Sequence, residues 1–139
     1  MCYLHRQMRR DNQKLFAEYG ISHVQMHTMV FIKIETDEGR SVCQKDIEKQ
    51  VNLRPSATST MLTNLEKRGF IVRTVSGDDA RTKYLSLTEK GKDLCVKDKL
   101  LMDKCDGIVE SALTEEEQEN FKNLLLKIIA ETEREIKNG

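Results

Sequence analysis

Between Pro55 and Arg68 the chain places Ser56, Thr58, Ser59, Thr60, Thr63 and Asn64 where a soluble helix usually carries Glu and Lys. Such side chains are short and uncharged, and they both donate and accept hydrogen bonds. Hydroxyls and Asn can bond phosphates or base edges, and a Thr methyl can touch a thymine methyl. Small side chains also let a helix backbone approach a duplex closely, whereas Glu would repel phosphate. Shortly afterwards SGDDARTK, residues 76–83, sets Arg81 and Lys83 at a turn, suited to phosphate or to a narrow minor groove. Asp79 stands two residues before Arg81, placed to hold that arginine or another. No phosphate loop, G-x-S-x-G, H-E-x-x-H or convincing pair of acid/base carboxylates is present, so no enzyme is expected. The Glu run at 115–117 is read as a helix start.

The elements that must position these residues follow from periodicity and capping. Leu4, Met8, Leu15 and Tyr19 fall at helical intervals, predicting a helix over 3–18 that stops at Gly20. Ser22 and Gln25 make a capping box for a second helix. Met26, Met29, Val30, Phe31 and Ile32 leave that helix apolar on most sides, so it is expected to be buried. TDEG, residues 36–39, ends it. A short helix over 44–50 turns Ile47 and Val51 inward and stops at Asn52. Pro55 suits the first turn of the next helix, whose apolar face is expected to be Ala57, Met61, Leu62 and Leu65. After Gly69 the period changes: 71–75 and 83–87 read as a β-hairpin around a Gly/Asp-rich turn. Thr88 caps a long helix to about Ser111, and Thr114 with Glu117 starts the last one. Phe121, Leu124, Leu125, Ile128, Ile129 and Ile136 form its apolar stripe. The expected order is α-α-α-α-β-β-α-α, mainly α with a small β part (α+β).

A chain of 139 residues is long enough for one domain with its own core. Its formal net charge is zero but unevenly spread. Residues 54–92 carry eight basic and four acidic side chains, a net +4; residues 110–135 carry eight Glu and three basic ones, a net −5. A basic middle and an acidic tail suggest one face made for polyanions and another kept away from them. No run of 18 apolar residues marks a membrane span. The N-terminus lacks the apolar region of a secretory signal, so a cytoplasmic location is expected. A helical pattern already under way at the first residues predicts a chain trimmed at that end. The four cysteines, Cys2, Cys43, Cys95 and Cys105, include no C-x-x-C pair. Cys95 and Cys105 share a predicted helix and stand ~15 Å apart along it, beyond the ~7 Å a disulfide tolerates. They are read as reduced thiols.

The helix pair, the LEKRGFI exit and the following hairpin occur in the order of a winged helix-turn-helix. LTNLEKRGFIVRTVSGDDARTKYLSLTEKGKDL resembles the winged region of the MarR family of bacterial transcriptional regulators. The likeness extends upstream through YGISHVQMHTMVFI and CQKDIEKQVNLRPSATSTML, and so over nearly the whole chain. It implies a homodimer on a pseudo-palindromic double-stranded DNA operator. Residues 1–20 and 112–139 would be dimerisation helices, 21–88 the winged lobe and 89–111 a connecting long helix, all in one domain. It implies a recognition helix over Pro55–Arg68, with Arg54, Ser56, Ala57, Thr58, Ser59, Thr60, Asn64 and Arg68 as DNA-binding residues. In the wing, Arg73, Asp79, Arg81 and Lys83 are the candidates, Arg81 entering the minor groove. Two departures stand out: Thr82 occupies a position that is basic in many members, and Thr60 one where many carry arginine. Dimerisation has independent support in Leu4, Met8, Phe121, Leu124, Leu125 and Ile128, more apolar surface than one small lobe hides.

Members of the family are often released from DNA by a small ligand or by cysteine oxidation. Tyr3, His5, Met26 and Met29 are candidates for an effector pocket, with core packing as the alternative for the methionines. Cys2 is the redox candidate, about one helical turn from the place where the peroxide-sensing branch keeps its reactive thiol. His23 and His27, four apart, have the spacing of two metal ligands but no evident further partner; no metal or cofactor is expected. The expected function is a DNA-binding regulator, a repressor released by a small ligand. The alternatives are an oxidation-responsive regulator and a winged-helix protein-interaction module without DNA.

Overall fold

The punctuation of the chain decides where each element begins and ends. A computed structural model describes residues 2–75, 79 and 81–139, with the side chains of residues 2–9 and 11 outside that set. The elements are α1 (Cys2–Tyr19), α2 (His23–Asp37), β1 (Val42–Cys43), α3 (Gln44–Val51), α4 (Pro55–Lys67), β2 (Ile71–Val75), β3 (Lys83–Leu87), α5 (Glu89–Ala112) and α6 (Glu115–Asn138). Among the described residues, no helix is long and apolar enough to cross a membrane.

Gly69 shows the punctuation at its clearest. Its φ of 77° is left-handed backbone, which an L side chain rarely adopts. That turn lets Gly69 N–H donate to the Glu66 carbonyl and Phe70 N–H to the Leu65 carbonyl, closing the end of α4. Phe70 then drops into the core at 1% exposure. Thr88 receives the other end of the hairpin. Its N–H and hydroxyl donate to the Phe70 carbonyl, and its oxygen accepts from Gly91 N–H, capping α5. Gly91 sits so close that a Cβ there would lie 2.3 Å from the Phe70 carbonyl oxygen. The spacing Leu87-Thr88-x-x-Gly91 therefore records a cap and a close helix-to-strand approach.

The sheet runs β1-β3-β2 with antiparallel neighbours. Val42 faces Leu85, and Ile71, Arg73 and Val75 face Leu87, Leu85 and Lys83. The expected hairpin bounds are met, but β1 was not expected. Two residues cannot show a period of two, and Val42 becomes a strand only because the open edge of β3 accepts it.

Contacts divide the chain into two compact units, residues 1–100 and 101–139. In the first, the core comprises Met26, Met29 and Ile32 from α2, Ile47 from α3, Leu62 and Leu65 from α4, and Phe70, Ile71, Leu85 and Leu94. Two expectations change here. α2 is not buried all round: Met26, Thr28, Met29 and Ile32 are buried, while Val24 and Ile34 are 40% and 50% exposed. The inward face of α4 is Thr58, Leu62 and Leu65, with Ala57 exposed. Spacing of i, i+4, i+7 turns Thr58 inward, and its hydroxyl is satisfied by the Arg54 carbonyl at 3.1 Å. Thr58 is thus a core residue and not part of the exposed hydroxyl face.

In the second unit, Thr114 caps α6 reciprocally: its oxygen accepts from Glu117 N–H, and the Glu117 carboxylate accepts from Thr114 N–H. No residue of α6 is buried. Phe121, Leu124, Leu126, Ile128, Ile129 and Ile136 are all exposed.

Candidate nucleic-acid interface

The turn between α3 and α4 is short because Asn52 accepts left-handed backbone at φ 51° and ψ 45°. Leu53 follows, then Arg54 at the N-cap and Pro55 at the first helical position. Gln44 of α3 donates to the Pro55 carbonyl at 3.3 Å, tying the two helices together. With Thr58, Leu62 and Leu65 inward, the opposite side of α4 carries Ser56, Ala57, Thr60 and Asn64, all exposed. Ser59 and Thr63 lie half-buried on its flank. Ser56, Ala57, Thr60 and Asn64 line a shallow groove whose far wall is Ser22, Val24 and Gln25 at the start of α2. The Thr60 hydroxyl donates to the Ser56 carbonyl at 3.0 Å, leaving its oxygen lone pairs outward.

Asn64 is not loose on this surface. The Ser22 N–H donates to Gln25 Oε1 at 2.9 Å, and Gln25 Nε2 donates to Asn64 Oδ1 at 3.1 Å. Sequence reasoning found Gln25 as a capping-box residue and missed its second bond. Gln25 N–H to the Ser22 hydroxyl, at 3.1 Å, completes the box.

The basic candidates separate into two groups. Arg54 is exposed at the foot of α4. Arg68 instead turns back: its guanidinium donates to the carbonyls of Tyr19 and Gly20 at the end of α1 and lies 5.2 Å from the Phe70 ring centroid. Arg73 donates to the Thr63 hydroxyl at 3.2 Å and pairs with Glu66 at 3.4 Å, at 17% side-chain exposure. Both guanidiniums have partners within the chain. A signal for Arg73 was present, since it shares a strand face with buried Ile71 and so points at α4.

In the wing, residues 76–78 and 80 lie outside the described residues. Asp79 organises the descending limb. Its carboxylate accepts from Arg81 N–H and from the Thr82 hydroxyl, each at 2.9 Å, and its carbonyl accepts from Thr82 N–H at 3.2 Å. The Arg81 N–H bond, then the Thr82 bond, hold this carboxyl below its ordinary value of 3.8. Asp79 thus holds the backbone at Arg81 and Thr82, while the Arg81 side chain is exposed. Thr82 is spent on the turn. Arg81 and Lys83 are exposed, and with Lys45 and Arg73 they wall a concavity of about 460 Å³ against α3 and α4. Among the described residues, Glu48 is the one acid on that wall.

The candidates for sensing fare differently. Met26 and Met29 are 3% and 0% exposed in the core of the first unit, so they line no open effector pocket. Dense packing around the apolar side of α2 is the reason. The side chains of Cys2, Tyr3 and His5 lie outside the described residues. Burial, followed by the neighbouring Asp98, pushes the Cys95 thiol up to about 11, so it stays protonated and unreactive. His23 stands edge-on to Phe16, ring centroids 4.6 Å apart. Among the described residues no cluster of three metal-ligating side chains forms.

The model of the MarR family matches residues 21–83, from the start of α2 through the wing. The HTH-type transcriptional regulator YwhA of Bacillus subtilis is 38% identical over 87 residues, 60% of this chain and 60% of that protein. The chain therefore spans less than two thirds of that relative. An HTH-type transcriptional regulator of Bacillus cereus is 31% identical over 108 residues, 76% of this chain and 69% of that protein. Among solved structures, the S. aureus MepR–DNA complex matches with a TM-score of 0.75 and 26% identity, over 94% of this chain and 95% of that one. MepR bound to ethidium bromide matches with a TM-score of 0.72 and 27% identity, over 95% and 96%. A shared winged helix-turn-helix, a family model laid across that unit and relatives at these identities lead to one assignment: the chain belongs to the MarR family of transcriptional regulators.

Proposed function

We propose that the protein is a homodimeric, sequence-specific double-stranded DNA-binding regulator of transcription, a repressor released by a small ligand in the cytoplasm. The carrying observation is the outer face of α4. It offers exposed Ser56, Thr60 and Asn64 along a groove with no acidic lining among the described residues, beside a wing whose exposed Arg81 has its backbone N–H held by Asp79. Short polar side chains read base edges in the major groove, and an arginine on a wing reaches phosphate or minor groove. Support comes from MepR, which has been solved with DNA and with ethidium bromide. The exposed apolar residues of α6 support a dimer through residues 1–20 and 112–139, joined to the lobe 21–88 by the long helix 89–111. Two-fold symmetry then sets two recognition helices ~34 Å apart on one DNA face.

The test is fluorescence-anisotropy binding to the DNA upstream of the protein's own gene, titrated with salt, against random duplex. Affinity that exceeds random duplex and falls steeply with salt is the expected result, the slope counting phosphate contacts. If neither that DNA nor any sequence selected from a random pool binds better than random duplex, the proposal fails.

A further inference from the structure

Resting on that reading, we propose that Gln25, which lies outside the recognition helix, sets base preference by fixing which way the Asn64 carboxamide faces. A side-chain amide has a donor end and an acceptor end of nearly equal size. Left alone at a surface, it can turn over and offer either. Here the turn is removed by a chain of single-purpose partners. The Ser22 backbone N–H can only donate, so the Gln25 atom 2.9 Å away is its oxygen. Gln25 must then present its NH2 to α4, and the Asn64 atom 3.1 Å from it must be Oδ1. The Asn64 NH2 is left facing outward, into the groove shared with Ser56 and Thr60. The backbone of α2 thereby dictates that position 64 donates.

Bases answer to that polarity. In the major groove guanine offers N7 and O6, adenine N7 and thymine O4 as acceptors, while cytosine offers only its N4 amine, a donor. A donor held at position 64 donates to any of the first three and finds no acceptor on cytosine. Reversing the amide reverses the rule: an outward Oδ1 favours cytosine N4 or adenine N6. Gln25 never touches the base, so it is a positioning residue.

The experiment selects duplexes from a random pool with the parent and with the variants Gln25→Glu, Gln25→Met and Asn64→Ala, each first shown to be folded by circular dichroism. A Glu at 25 still accepts from Ser22 N–H but cannot donate, so Asn64 turns its NH2 toward it and its oxygen outward. The expected result is one position per half-site that excludes cytosine in the parent and, in Gln25→Glu, admits cytosine at the expense of guanine and thymine. The change in preference is about tenfold, the order of one major-groove hydrogen-bond pair. Gln25→Met relaxes the same position without reversing it, and Asn64→Ala loses preference there. The added charge of Glu lowers affinity for every sequence, which leaves the selected bases unchanged and so cannot imitate the effect. Identical preferences in the parent and both Gln25 variants overturn the relay while leaving DNA recognition standing. A parent that selects no sequence overturns the underlying function and the relay with it.

Discussion

α4 and α6 each present a long exposed face, and the two faces are opposite in chemistry. On α4 the apolar side is consumed by the core, with Leu62 and Leu65 at 0% exposure, and what remains outside is hydroxyl and amide. On α6 nothing is buried, and what remains outside includes Leu124, Ile128 and Ile129 at more than half exposure. The first face is finished as a fold and open as a hydrogen-bonding surface. The second leaves apolar area in water, each fully buried large side chain being worth about 1.5–3 kcal/mol. One face is therefore suited to a polar ligand, the other to a second apolar face.

The largest effect should come from charging the second face. Leu124→Glu combined with Ile128→Glu places two carboxylates where apolar burial is expected, and an unpaired buried charge costs several kcal/mol. Analytical ultracentrifugation should find monomer, and affinity for a selected operator should fall by at least about 100-fold, because one half-site replaces two. The far-ultraviolet spectrum should keep its helical content. A double variant that remains dimeric breaks the comparison, since the face would then be idle.

Within α4 itself, Thr58 and Thr60 sharpen it. They are the same residue type two positions apart, one at 0% exposure and one in the groove. Thr58→Ala should lower unfolding free energy by about 1–2 kcal/mol, the loss of a buried methyl and hydroxyl, with base preference unchanged. Thr60→Ala should shift stability by no more than about 0.5 kcal/mol and change operator preference. Chemical denaturation and binding to a panel of operator variants read both quantities. If Thr58→Ala alone alters preference, the inward and outward faces have been misassigned.

Arg81 is the next step down. Arg81→Ala should weaken binding to all sequences by about tenfold and reduce the salt slope by about one. Arg73→Ala should behave otherwise, loosening β2 from Thr63 and Glu66 and lowering thermal stability first.

What was legible in the sequence divides along the same line. Capping residues and glycines act on their immediate neighbours, so Gly20, Ser22, Asn52, Thr88 and Thr114 marked the helix ends well. The family resemblance carried the hairpin and the order of elements around α4. The phase of α4 was missed because Ala57 and Thr58 are both small, and hydropathy favoured Ala as the inward one; the Arg54 carbonyl, which satisfies the Thr58 hydroxyl, is invisible to hydropathy. The partners of Arg68 and Arg73 are not legible, because charge alone does not tell a free guanidinium from one bound to the end of α1 or to Glu66. The Gln25–Asn64 bond joins residues 39 apart, and no local pattern reports it.

The smallest effect, and the most discriminating for the wing, belongs to Asp79→Ala. Two consequences oppose each other. Removing a carboxylate beside Arg81 removes a repulsion toward phosphate, which favours binding. It also removes the acceptor for Arg81 N–H and the Thr82 hydroxyl, which frees the limb that aims Arg81. Salt separates them, because at 1 M the screening length shrinks to about 3 Å and the repulsion is largely masked. Loss of the turn should then dominate, with binding a few-fold weaker than the parent at raised salt and a smaller deficit at low salt. The pH dependence follows the same bonds. The folded carboxyl lies below its ordinary value of 3.8, so its contribution is present above that value and lost as pH falls through the depressed one. Wing binding should therefore show no Asp79-linked change from pH 8 to pH 5. A gain in affinity at low salt that vanishes at high salt would mean that Asp79 acts by charge, and that Arg81 finds its direction without it.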